Sequence, residues 1–163
     1  MKRTHLAAVL LLPFAAVSLS GCFNGLEATT NVQSTMNSGN GVQVRQGDIR
    51  IENTTLVMDE TGATALLVRL FNEGPVTDAL TYATVNGQQV EIVTPEGNGA
   101  ELQPGASVSF GWDSDNSIAM PQLDVPISSY VPVELGFAEA GLASMSVLTV
   151  PQTGYYADVV VTP

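Results

Sequence analysis

Few residues in this 163-residue chain have side chains that attack, ligate or shuttle protons, and most such types sit at its start. The single Lys (Lys2), single His (His5) and single Cys (Cys22) all fall within the first 22 positions. Beyond them the chain offers sixteen carboxylates, three arginines and the methionines Met36, Met58, Met120 and Met145. Ser-His-Asp and Cys-His catalysis, Schiff-base lysines, P-loops and histidine-zinc sites each need a residue type that this stretch lacks. Paired carboxylates, as in glycosidases, leave a carboxylate-based hydrolase as an enzymatic alternative. No spacing singles out such a pair, so the expectation is a non-enzyme with no catalytic residue.

Two further groups have chemistry to weigh. Asp113-Ser114-Asp115-Asn116-Ser117 is dense in oxygen donors, and Asp124 falls at the twelfth position of a calcium loop begun at Asp113. Ile118 stands where that loop needs Gly, Pro121 interrupts it and no helix flanks it, so a solvated turn bonding its own backbone is the better reading. Trp112, Tyr155 and Tyr156 lie near loops, where aromatics serve either as packing or, if exposed, as a partner surface.

Cys22 has a chemistry of its own. Lys2 and Arg3 precede an apolar stretch, Leu6 to Val17, too short to span a bilayer. Leu19-Ser20-Gly21-Cys22 follows and resembles the bacterial lipobox, which implies cleavage after Gly21 and lipidation of the Cys22 thiol. Residues 1–21 are then a signal peptide, and the protein is expected at the cell membrane, lipid-anchored and facing outside the cytoplasm. Lipid chains contribute about 0.8 kcal/mol per buried CH₂, so two or more hold stably. No other cysteine remains for a disulfide, and the domain must rest on its core alone.

From Cys22 onward, Arg45, Arg50 and Arg69 oppose sixteen carboxylates, a net charge of −13. Such a surface repels phosphate backbones, so nucleic acid is excluded as a partner and the membrane is reached through the lipid. An envelope protein of unknown identity is the expected partner.

The elements that must position these residues are strands. Residues 22–41 comprise the lipidated Cys and a tether rich in Asn, Thr, Ser and Gly, with a reach on the order of 25 Å as a flexible coil. Residues 42–163 form one domain, in which apolar residues recur at short period between Gly, Pro and Asn clusters. Strands are predicted at Ile49–Met58, Ala63–Asn72, Ala79–Val85, Gln88–Val93, Ser107–Trp112, Ile118–Leu123, Val131–Phe137, Met145–Val150 and Ala157–Val161. Asn86-Gly87 is a hairpin signal, Gln103-Pro104-Gly105 a second turn and Asn72-Glu73-Gly74-Pro75 a third. Alternation exposes Arg69 and Glu134, and Pro132 suits an edge strand or a strand's first residues. The expectation is an all-β, antiparallel β-sandwich of about eight or nine strands.

The run Leu102-Gln103-Pro104-Gly105-Ala106-Ser107-Val108, then Ile118-Ala119-Met120, then Val131-Pro132-Val133-Glu134-Leu135-Gly136-Phe137-Ala138-Glu139-Ala140-Gly141 resembles the PCu(A)C-type copper chaperones, their actinobacterial lipoprotein branch in particular. Ala63 to Gly74 is similar to that family's strand ending in Asn-x-Gly. The resemblance covers roughly Ala63 to Val150 and implies an Ig- or cupredoxin-like sandwich. It also implies Cu(I) binding and delivery through two His and two or three Met. Met120 matches the Met of the family's His-x-Met, but Ile118 occupies the His position. The other His would fall near Val93, and Thr94 to Ala106 contains no Met. One thioether cannot hold Cu(I), which needs two or three soft donors converging. The expectation is a non-catalytic binding or accessory protein without a cofactor; the alternative is a Cu(I) chaperone in which Met58 or Met145 joins Met120. Core packing is the ordinary role of Met58 and Met145.

Overall fold

A computed structural model describes residues 41–112 and 114–161. The signal segment, Cys22, the tether with Met36, and Asp113 lie outside the described residues. The domain is built of strands: β1 (Val42–Gln46), β2 (Ile49–Met58), β3 (Thr64–Asn72), β4 (Asp78–Val85), β5 (Gln88–Gln89), β6 (Glu91–Thr94), β7 (Gly97–Asn98), β8 (Ala100–Leu102), β9 (Ser107–Phe110), β10 (Ser117–Met120), β11 (Tyr130–Phe137) and β12 (Gly141–Pro151). A 3₁₀ turn, Gly154–Tyr156, follows them.

Hydrogen bonding runs β5-β4-β11-β12-β2-β3-β10-β6-β7, with β1 on β2, β8 on β4 and β9 on β3. The path folds over as a sandwich because β12 serves both layers. Its first part pairs antiparallel with β11, from Gly141 opposite Phe137 to Leu148 opposite Tyr130. Its last part, Thr149 to Pro151, runs parallel to β2 at Leu56 to Met58. That short parallel pairing departs from the all-antiparallel expectation. β5 and β6 make the opposite crossing. The predicted strand Gln88–Val93 is broken at Val90, whose N–H donates to Ala83, so Gln88-Gln89 stays with β4 and Glu91–Thr94 joins β10.

One core lies between the layers. On β2, Ile49 and Ile51 face it at one end and Leu56 and Met58 at the other, a change of parity along one strand. A bulge makes the switch: two residues, Asn53 and Thr54, stand between Glu52 opposite Arg69 and Thr55 opposite Leu67. Asn53 adopts φ 55° there, a left-handed conformation that Asn tolerates better than most residues. From β11, Val131, Val133, Leu135 and Phe137 fill the same core.

Turn chemistry holds. Asn86 and Gly87 both have positive φ, 52° and 75°, as a two-residue primed turn requires. Ala106 N–H donates to Gln103 O at 3.0 Å and Gly105 has φ 72°. Asn72 fixes the third turn: its amide donates to Val76 O and Leu102 O at 2.7 and 2.8 Å, and its oxygen accepts from Gly74 N–H. Pro132 lies in β11, a strand paired on both sides, so it is not at an edge. It occupies the first residues instead: the β4 ladder starts only at Val133, and Pro132 O accepts from Asn86 N–H at 2.8 Å.

The predicted strand Ala157–Val161 does not form. After the 3₁₀ turn this segment crosses the outer face of the β2–β3 layer, burying Val159 and Val161 on Val57, Ala63, Ala65 and Leu67. Its alternation is real, since Val160 is exposed, but it serves to cover a face rather than to extend a ladder.

Candidate functional site

Thr64 of β3 is opposite Met58 of β2 on one side and opposite Met120 of β10 on the other. Partners in register point to one face, so both methionines face the main core, with Cα atoms about 9.5 Å apart at twice the interstrand spacing. Both are buried, as is Met145, opposite Val133 in the other layer. All three belong to one apolar cluster. Ile118 is 1% exposed and lies opposite Ile92 of β6. The two positions of Ile118-x-Met120 therefore face the same apolar core, and a position that the resemblance assigns to an imidazole is packed with aliphatic carbon. Val93, where the second His would fall, is opposite Ser117 and partly exposed. Among the described residues, no three His, Cys, Asp or Glu side chains come together to hold a metal ion.

Among its described residues, the β9–β10 loop does not gather oxygen ligands. Ser114 Oγ and Asn116 Nδ2 both donate to Ser109 O, at 2.7 and 3.0 Å, and Asn116 N–H donates to Ser114 Oγ. Such bonds make a compact turn. The predicted strand Ser107–Trp112 stops at Phe110 because Gly111 and Trp112 both take positive φ, 69° and 56°.

That bend brings Trp112 to the C-terminal turn. The Trp112 ring lies 4.7 Å from that of Tyr155 and 5.7 Å, edge-on, from that of Tyr156; the two tyrosine rings are 5.2 Å apart. The three aromatics singled out from the sequence thus form one knob. Tyr155 is 72% exposed and Trp112 40%, whereas Tyr156 is half-buried against the outer cluster of Val57 and Leu67. Beneath the bend, a Cβ at Gly111 would come 2.4 Å from Leu67 Cδ2, so the loop rests directly on the sheet.

Farther along the same face lies a group missed in the sequence. Arg50 of β2 and Arg69 of β3 both place their guanidinium over the Phe71 ring, at 4.2 and 4.8 Å. Arg50 also pairs with Glu73 at 2.6 Å and with Glu52, and Arg45 pairs with Glu73. The Arg50 hydrogen bond, then that of Arg45, holds the Glu73 carboxyl below its ordinary range. All three arginines of the domain therefore share one side of the β1–β2–β3 layer. Only the pairing of Arg45 with Arg50 and of Arg50 with Phe71 across strands could have revealed this, and it depends on register.

Two hollows open among the described residues. One, about 540 Å³, opens between the β4–β5 and β6 edges beside Thr81, Tyr82, Gln89 and Glu91. The other, about 360 Å³, is lined by Asp48, Asp78 and Glu139 among others. The Asp78 carboxylate is held by backbone: its oxygens accept from the N–H groups of Glu139 and Ala140 at 2.8 and 2.9 Å.

No protein-family model matches the chain, and no curated protein matches it. Solved structures do. The copper-bound PCuAC domain from PmoF2 is 16% identical with a TM-score of 0.59, the match covering 68% of this chain and 98% of that one. The apo PCuAC domain from PmoF1 is 14% identical at the same TM-score, over 68% and 99%. The apo PmoF2 PCuAC domain is 16% identical, again at 0.59, over 69% and 98%. The domain has a PCuAC-like β-sandwich fold.

Proposed function

We propose that this chain is an extracytoplasmic lipoprotein, anchored through lipid on Cys22, whose PCuAC-like sandwich binds another envelope component without catalysis and without a Cu(I) site. One observation carries the loss of copper: Ile118 and Met120, at the positions of the family's His-x-Met, are buried among Ile92, Met58 and other core residues. Cu(I) needs converging soft donors reachable from solvent, and the donor set here does not fit it. The −13 charge from Cys22 onward supports a protein partner over nucleic acid. Support for the anchor is the basic, apolar and Leu19-Ser20-Gly21-Cys22 order of the first 22 residues, and no helix among the described residues is long and apolar enough to cross a membrane.

A second reading is a Cu(I) chaperone with an altered thioether site. It draws on the placement of Met58 and Met120 either side of Thr64 on one face, with Met145 in the same core cluster. Anaerobic Cu(I) titration against a chromophoric chelator separates the two. The expected result is no competition for copper by the protein. Tight one-to-one binding, abolished by Met120→Ala, establishes the chaperone instead.

A further inference from the structure

The aromatic knob is closely packed within itself. Ring centroids 4.7 to 5.7 Å apart leave no slot between the rings, so a ligand meets their outer faces. Two exposed carboxylates accompany it: Asp115, three residues after Trp112, and Asp158, two residues after Tyr156. Every ion pair among the described residues is drawn from Arg45, Arg50, Glu52 and Glu73, so neither Asp115 nor Asp158 has a cation of its own.

We infer that Trp112, Tyr155 and these two carboxylates form a docking surface for a basic, Arg- and Lys-rich segment of a partner protein. The inference deepens the accessory-binding reading above and rests on it. Charge complementarity selects the partner. An exposed indole or phenol face attracts a cation, a guanidinium best because it stacks flat and offers its N–H edge to a carboxylate at the same time. The domain already uses the first half of that chemistry internally, where Arg50 and Arg69 cover Phe71. The charge of −13 from Cys22 onward steers cations toward the domain and acidic partners away. A neutral glycan would stack on the rings but make no use of the charge.

Trp112 is the only Trp in the chain, so its fluorescence reports on this surface alone. The full chain is titrated with hexaarginine amide, hexaglutamate and maltohexaose at low and at physiological salt. Hexaarginine should change the emission saturably, more tightly at low salt, and the other two should not. Tyr155→Ala and Asp158→Asn should each weaken it about threefold, while Glu101→Gln, one charge fewer on the other layer, should leave it unchanged. Equal weakening by Glu101→Gln and Asp158→Asn would reduce the effect to diffuse attraction and overturn the inference. So would a response to maltohexaose or hexaglutamate alone, or no response at all. None of these variants touches the methionines, so this surface and the copper-free reading fail separately.

Discussion

Thr54 is the residue at which the fold leaves a polar group without a visible partner. It is 0% exposed, and its Oγ1 has no hydrogen bond among the described atoms. The bulge is the cause. Asn53 at φ 55° turns the next side chain onto the core-facing parity of Leu56 and Met58, and Thr arrives where a hydrophobe belongs. An unmade buried hydrogen bond costs about 1–3 kcal/mol, whereas an apolar group of the same shape costs nothing. Thr54→Val should therefore raise unfolding free energy by about 1 kcal/mol, read as a higher urea midpoint at unchanged slope. A lower midpoint would mean that the hydroxyl is satisfied, by a buried water for example. Thr149, equally buried, is the contrast: its hydroxyl donates to Ser129 O and accepts from Ser129 N–H, and it has no such gain to make.

At the scale of elements, what the sequence revealed was alternation and turn chemistry, and both are local. β2, β3, β4 and β11 lie within a residue of expectation because apolar residues at period two are bounded by Asn, Gly or Pro. What stayed hidden depends on partners distant in sequence. β8 has only three residues, too few to show a period, and β1, though Val42 and Val44 alternate, adjoins the Gly- and Asn-rich tether, where so short an alternation does not stand out as a strand. β12 starts at Gly141, four residues earlier than predicted, because Leu142 and Ser144 are exposed and only their pairing with β11 makes them strand. The aromatics were legible as candidates, but their meeting was not, since it requires two left-handed residues at Gly111-Trp112. Likewise Val159 and Val161 read as strand while acting as a strap. That role has a measurable consequence. Val159→Ala or Val161→Ala removes two methyl groups from a buried face, a loss of about 1.5 kcal/mol each. Val160→Ala, at 68% exposure, should change little. Equal, small effects at all three positions in thermal melts would show that the strap does not hold the sheet face.

For the molecule as a whole the dominant physical fact is charge. Three arginines set against sixteen carboxylates beyond Cys22 make self-repulsion a standing cost of compactness, relieved when salt screens it over a Debye length of about 8 Å at physiological ionic strength. Screening also weakens the Arg45, Arg50 and Glu73 cluster, but those groups are exposed and such pairs contribute little. Repulsion should win, so the melting temperature should rise as salt increases from 0.05 to about 0.5 M. Acid acts on carboxylates that the fold holds in their charged form. Glu73 is held down by its hydrogen bond from Arg50, and Asp59 by hydrogen bonds from Thr61 and the backbone N–H groups of its turn. A depressed carboxylate contributes stability that is fully present above its unfolded value, about 4, and that is lost as pH falls through its folded value. Stability should therefore hold from neutral pH down to about 4 and decline only below it, with Glu73→Gln flattening part of that decline. A melting temperature that falls with added salt would mean that ion pairs rather than net repulsion govern the stability of this domain, and an acid loss that already begins at pH 6 would mean that groups other than these two depressed carboxylates set its acid limit.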